Sequence, residues 1–188
     1  MTTEDSLEAL KTEIAESSQS QRTVMVTAMA LQFLECFRQF CVSEKVPDMW
    51  CTCFAFFRNG RQHPSEFGSR IDTFFAEHEA ALHDSKLPAF DFLVILEGAV
   101  KGNDPALSDA VEAYFHNVGF LNLTFQRDFG KEGLDWVDLS LPPCPEVERM
   151  LEPYRAFLDG HLPQDDLLAL AALHSAMDLI DLDPTDRR

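Results

Sequence analysis

The chain has 188 residues, of which 32 are Asp or Glu and 15 are Lys or Arg, giving a formal net charge of -17. That field disfavours nucleic acid and anionic membrane as direct ligands, because approach to a phosphate surface runs against the whole protein. A disordered acidic tail is excluded too, since 46% of the chain is hydrophobic and 16 residues are Phe, enough apolar area for one core.

Helical spacing dominates from the start. Leu7, Leu10 and Ile14 recur at three and four residues behind a polar Thr3 to Ser6, which predicts a short amphipathic helix over 4–17. Ser17 to Gln21 reads as a linker, so 1–20 is an N-terminal helix and linker. From Arg22 to Glu44 apolar residues cover most of a helical circumference, and Thr27, Gln32, Glu35, Arg38 and Gln39 leave a narrow wet strip. A helix apolar nearly all round is a central, buried one. Those same polar residues interrupt Val24 to Val42 too often for a membrane span.

Pro47 and Asp48 then open a segment whose Met49 to Phe57 has strand propensity, but Asp48 as N-cap and Asn59-Gly60 as stop favour a helix. Phe67, Ile71, Phe74, Phe75, His78 and Leu82 give 64–85 an aromatic stripe, Pro88 opens a helix to about Lys101, and Asp104-Pro105 starts another to about Asn117. Two readings stand for 120–141. Leu121, Leu123 and Phe125, then Val137, Leu139 and Leu141, alternate around a turn-rich stretch as in a small β-hairpin; alternatively the first half extends the preceding helix past Gly119. Helices follow at 145–159, with Pro153 as a possible bend, and at 164–182, before a frayed tail at 183–188. The expected fold class is all-α, a helical bundle around a buried central helix in a single acidic domain over 1–188.

Five cysteines, Cys36, Cys41, Cys51, Cys53 and Cys144, are an odd number set in apolar surroundings, and read as reduced, buried thiols. Acids at Glu4 and Asp5 occupy the place of a signal peptide's basic region, so a cytoplasmic protein is expected. The charge is uneven: 21–60 holds three acids and four bases, whereas 134–188 holds 12 acids and four bases. The expected surface for a partner is therefore Glu146, Glu148, Glu152, Asp159, Asp165, Asp166, Asp178 and Asp181. Imitation of a duplex by one helix fails on density. DNA carries about 18 charges over the roughly 30 Å of a twenty-residue helix, against five for the last helix, its four named Asp and Asp183.

Motifs of catalysis come close and miss. His78 and His83 are five residues apart, about 140° around a helix, where a zincin needs four. Glu79 with His83 and Glu112 with His116 have the spacing of surface ion pairs. Cys51-x-Cys53 supplies no four-ligand set. Neither a phosphate-binding glycine loop nor a nucleophile elbow is present.

The expectation is a non-enzymatic module, with no cofactor and no metal, whose acidic face binds and inhibits a basic, nucleic-acid-binding protein, in the manner of anti-defence or immunity proteins. That step is analogy from charge and size. Two other classes stand beside it. One is a small-ligand or cofactor protein with a pocket lined by Phe33, Phe37, Phe40, Phe54, Phe56, Phe57, Phe74 and Phe75; the other is a metalloprotein or hydrolase using His78, Glu79, His83, Glu112 and His116.

Overall fold

The computed structural model describes residues 2–58, 64–85, 88–128 and 144–175, and these form helices with no strand among the described residues. In chain order they are α1 (Thr3–Glu16), α2 (Gln19–Ser43), α3 (Pro47–Arg58), α4 (Pro64–Asp84), α5 (Ala89–Lys101), α6 (Asp104–Asp128), α7 (Pro145–Leu158) and α8 (Gln164–Leu173). The all-α class expected from periodicity is the observed one.

Local chemistry sets several of the boundaries. Thr2 and Asp5 make a capping box on α1, and Ser18 and Gln21 make a second on α2, where Ser18 Oγ accepts from the Gln21 N–H at 3.2 Å and Gln21 Oε1 accepts from the Ser18 N–H at 3.1 Å. Each box satisfies two backbone donors that a helix start otherwise leaves bare. The expected linker Ser17 to Gln21 is thereby reduced to Ser17 and Ser18, because α2 already begins at Gln19. Pro47 opens α3, so Asp48 lies inside its first turn rather than capping it; Asn59 and Gly60 lie outside the described residues. Gly102, at φ 62°, closes α5 in the left-handed conformation that glycine adopts without strain.

α2 is the axis of the bundle. α5 and α6 share the most extensive interface, followed by α2 against α5 and α2 against α8. Buried residues from every helix join one cluster. Gly98 is what lets α5 and α6 approach so closely: a Cβ there would lie 2.5 Å from Ala110 Cβ and 2.7 Å from the Ala106 carbonyl. Aromatic contacts continue the core outward, Phe37 of α2 stacking on Phe92 of α5 at 4.6 Å and meeting Phe74 of α4 edge-on at 5.8 Å.

Four further expectations are corrected. Gln32, assigned to the wet strip, is fully buried, and Thr27 is nearly so. Gln32 Oε1 accepts from the hydroxyls of Tyr114 (2.6 Å) and Tyr154 (3.0 Å) while its amide donates to the Met150 carbonyl at 3.1 Å. One amide thus joins α2, α6 and α7, and its burial is tolerable because its polar atoms are bonded. Second, α6 runs through Gly119 to Asp128, so the helical extension is correct for that half of 120–141. Val111, Tyr114, Val118 and Leu121 keep a helical period of buried positions across Gly119. The other half of the hairpin reading, 129–143, lies outside the described residues. Third, Cys51 is exposed while the other four free thiols are buried. Fourth, α8 ends at Leu173, where His174 leaves helical geometry (φ -96°, ψ 72°). Residues 176–188, including Asp178, Asp181 and the expected frayed tail, lie outside the described residues. Pro153 sits buried within α7, and the irregular backbone is in α4 instead, at His78 (φ -121°, ψ 15°).

Candidate functional site

The eight carboxylates expected to meet a partner divide into groups with different local roles. Glu146 and Glu148 stand in the first turn of α7, where negative charge opposes the positive end of the helix dipole. Both are engaged within the fold: Arg149 donates to Glu146 at 3.1 Å, and Arg155 donates to Glu148 at 2.6 Å while its second amino group donates to Ser6 of α1 at 2.7 Å. Both pairs lie within α7, and Arg155, held by Glu148, is the residue that ties α7 to α1.

Glu152, Asp159, Asp165 and Asp166 are different. All four are exposed and none forms an ion pair among the described residues. Asp159 caps the end of α7 and Asp165 and Asp166 fill the first turn of α8, the two helices turning through Gly160 at φ 73°. Glu152 precedes Asp159 by seven residues, two turns, on the same face of α7. Asp159, Asp165 and Asp166 thus flank the α7–α8 turn, with Glu152 two helical turns before it, and all four are unpaired among the described residues.

Beside that corner α2, α3 and α8 enclose an open groove of about 670 Å³. Val24, Thr27, Leu31 and Leu34 form its floor along α2, at the three and four residue spacing of one helix face. Trp50, Phe54 and Phe57 of α3 form one wall, and Leu168 and Ala172 of α8 the other, with Gln164 where α8 begins. Trp50 and Phe54 stack at 5.4 Å, Phe54 is 44% exposed, and the buried indole N–H of Trp50 has no hydrogen-bond partner. Among the described residues two charged side chains line the groove. Glu35 is held by Arg38 (2.6 and 2.7 Å) and Gln39 (3.1 Å), and the hydrogen bonds from Arg38 set its carboxyl below the usual range. Arg58 is exposed and has no ion pair among the described residues.

The eight-Phe pocket expected from sequence is not assembled. Phe33, Phe37, Phe40, Phe56 and Phe74 belong to the buried core, and Phe75 packs on Phe90 at 5.4 Å. Only Phe54 and Phe57 reach the groove, joined by Trp50, which the sequence reading did not single out. Its position one helical turn before Phe54 was the available signal.

The His and Glu pairs likewise stay apart. Glu112 is bound by Lys11 of α1 at 2.7 Å, His78 stacks on Phe74 at 4.3 Å, and His83 lies against Phe90 at 4.4 Å. α4 and α6 each pack on α5 and share no extensive interface. Among the described residues no group of three or more His, Cys, Asp or Glu is placed to hold a metal ion. Buried thiols are unsuited to nucleophilic work: burial pushes Cys41 up to about 12 and raises Cys53 and Cys144. No helix among the described residues is long and apolar enough to cross a membrane. Comparison of the chain with protein-family models, curated proteins and solved structures found no match.

Proposed function

We propose that the protein is a non-enzymatic interaction module that binds a basic protein through the α7–α8 corner. The observation that carries this reading is the set of exposed carboxylates, Glu152, Asp159, Asp165 and Asp166, that no cation of the described fold neutralises. In water such charges repel one another weakly, and a partner that brings Lys or Arg relieves that repulsion and gains steering from the net charge of -17. Nucleic-acid-binding proteins carry the most extended basic surfaces, and an acidic protein seated on one competes with the phosphate backbone. Inhibition of such a protein, in a cytoplasmic anti-defence or immunity role, is the biological form of this proposal.

The test is a charge-reversal comparison. Glu152, Asp159, Asp165 and Asp166 are changed together to Lys in one variant, and the exposed Glu13, Glu16, Asp84 and Asp109 together in another, so that both net charges rise equally. Immobilised wild type is expected to retain a basic protein from lysate at low salt and release it at high salt. The corner variant should lose that protein and the control variant keep it. Equal loss from both variants, or no retained protein at low salt, would sink the proposal.

A further inference from the structure

The α2/α3/α8 groove is an apolar trough with an exposed aromatic lip, and its first α8 residue, Gln164, is followed directly by the exposed Asp165 and Asp166. We propose that this groove seats an amphipathic basic helix of the partner, whose apolar face enters the trough while its Lys and Arg reach the acidic corner. This inference rests on the corner being a docking surface for basic protein and names the partner's form.

Length supports it. Val24 to Glu35, which floor the groove, run about 16 Å along α2, three helical turns, the reach of apolar anchors at i, i+3 or i+4, and i+7. So does the shape of the apolar surface. The groove is half-open, and Phe54, 44% exposed, stands in its wall, so a helix laid along it would cover ring and trough together. Charge selects among macromolecular occupants. A second copy would bring another net charge of -17 against the first, while a basic helix meets Asp165 and Asp166 with opposite sign. Among the described lining residues Arg58 is the unpaired cation that opposes a basic occupant, and that opposition makes it a test.

The experiment uses the full chain with Trp136→Phe, leaving Trp50 as its one tryptophan. The probe is a labelled peptide of about 14 residues, long enough for three helical turns and their flanks. It has Leu at the positions of one helix face and Lys elsewhere, and is compared with a scrambled peptide of the same composition. The patterned peptide is expected to bind about tenfold more tightly, a difference of about 1.4 kcal/mol, and to shift Trp50 emission. That preference should vanish in Phe54→Asp, an exposed position whose retained helicity circular dichroism can check, and Arg58→Glu should tighten binding of the patterned peptide.

Equal binding of the two peptides, abolished by reversing Asp159, Asp165 and Asp166 to Lys, would overturn the groove proposal while leaving the acidic-corner reading intact. Absence of binding by either peptide at low salt would overturn both. Displacement of the peptide by stoichiometric dodecanoate, with dodecanoate binding lost in Arg58→Glu, would overturn it in favour of an amphipathic carboxylate. A concentration-dependent dimer that Phe54→Asp dissociates would overturn it in favour of a second copy.

Discussion

The two sides of α2 use the same kind of residue to opposite ends. Toward α5, Val26 packs against the helix at Gly98 and Phe37 stacks on Phe92, with every one of these groups buried. Toward α3 and α8, Val24, Leu31 and Leu34 remain half-buried at the floor of an open groove. Closure depends on what comes opposite. On the α5 side Val26 fills the space beside Gly98 and Phe37 stacks on Phe92, whereas on the other side Trp50, Phe54 and Phe57 of α3 face Leu168 and Ala172 of α8 across a trough that no extensive α3–α8 interface closes. A helix apolar on all sides is therefore completed on one side by the fold, and on the other it is left for something else to complete.

The comparison breaks first at a pair of phenylalanines. Phe37→Ala, in the closed core, should cost about 3–5 kcal/mol, while Phe54→Ala, 44% exposed, should cost less than about 1 kcal/mol because much of the ring is already in water. Urea midpoints of the two variants read the difference directly. Similar losses would mean that the groove wall is as integral to stability as the core. A smaller effect is expected where α5, which closes the first side, meets α6 at Gly98. Gly98→Ala gains about 1 kcal/mol in helix propensity but forces a methyl against Ala110 Cβ and the Ala106 carbonyl, neither of which is the flexible end of a side chain. A net loss of about 1–3 kcal/mol follows from such overpacking, and a variant as stable as wild type would show that α5 and α6 can separate at little cost.

This asymmetry also marks where the sequence stops being readable. Helix existence follows from three and four residue periodicity and from caps, and α1, α4 and α7 lie within a residue or two of where spacing and proline place them. Continuity through Gly119 was ambiguous because apolar alternation at 121–125 fits both a strand and part of a helix; tertiary burial of Val118 and Leu121 decides it. Gln32 was misplaced for a related reason. A polar residue on an apolar helix reads as solvent-facing unless its partners are known, and Tyr114 and Tyr154 lie 82 and 122 residues away. At the candidate site the sequence could locate negative charge but not tell engaged from free carboxylates, since the pairing of Glu148 with Arg155 depends on helix geometry and on Ser6 of another helix. The groove was invisible, because its floor and the closed core have the same composition.

Thiols and phenols on the closed side predict a loss of stability in base. Burial raises Cys41 to about 12 and lifts Cys53, Tyr114 and Tyr154 in the same direction. Unfolded, these groups ionise at their usual values, near 9 for the thiols and 10 for the phenols, so above pH 9 the native state holds more protons than the unfolded state and stability falls with rising pH. Their contribution is complete below pH 9 and is lost as pH climbs toward 12. The urea midpoint, measured under reducing conditions, should be flat on the approach to pH 9 and then decline; a midpoint unchanged to pH 11 would contradict the burial. Cys51, exposed on α3 only two residues from the buried Cys53, supplies the contrast within one helix: a thiol reagent should label it in the native protein and reach Cys41 and Cys53 only after unfolding.

The smallest effect belongs to the turn that carries α3 to the groove. Lys45 sits at φ 60° between α2 and α3, with the Lys45 N–H donating to the Val42 carbonyl at 3.2 Å and the Val46 N–H donating to Cys41 at 2.8 Å. This is the closing turn of a helix whose C′ position glycine normally fills. A side chain in this conformation costs about 1–2 kcal/mol, and glycine returns roughly half of that through its freer unfolded chain. Lys45→Gly should therefore stabilise the protein by about 0.5–1 kcal/mol, raising Tm by about 1–4 °C for a chain of this size. Because the substitution relieves the turn without touching the trough, peptide affinity should stay constant while Tm rises. A fall in Tm would mean that Lys45 contributes more through its side chain than its backbone costs.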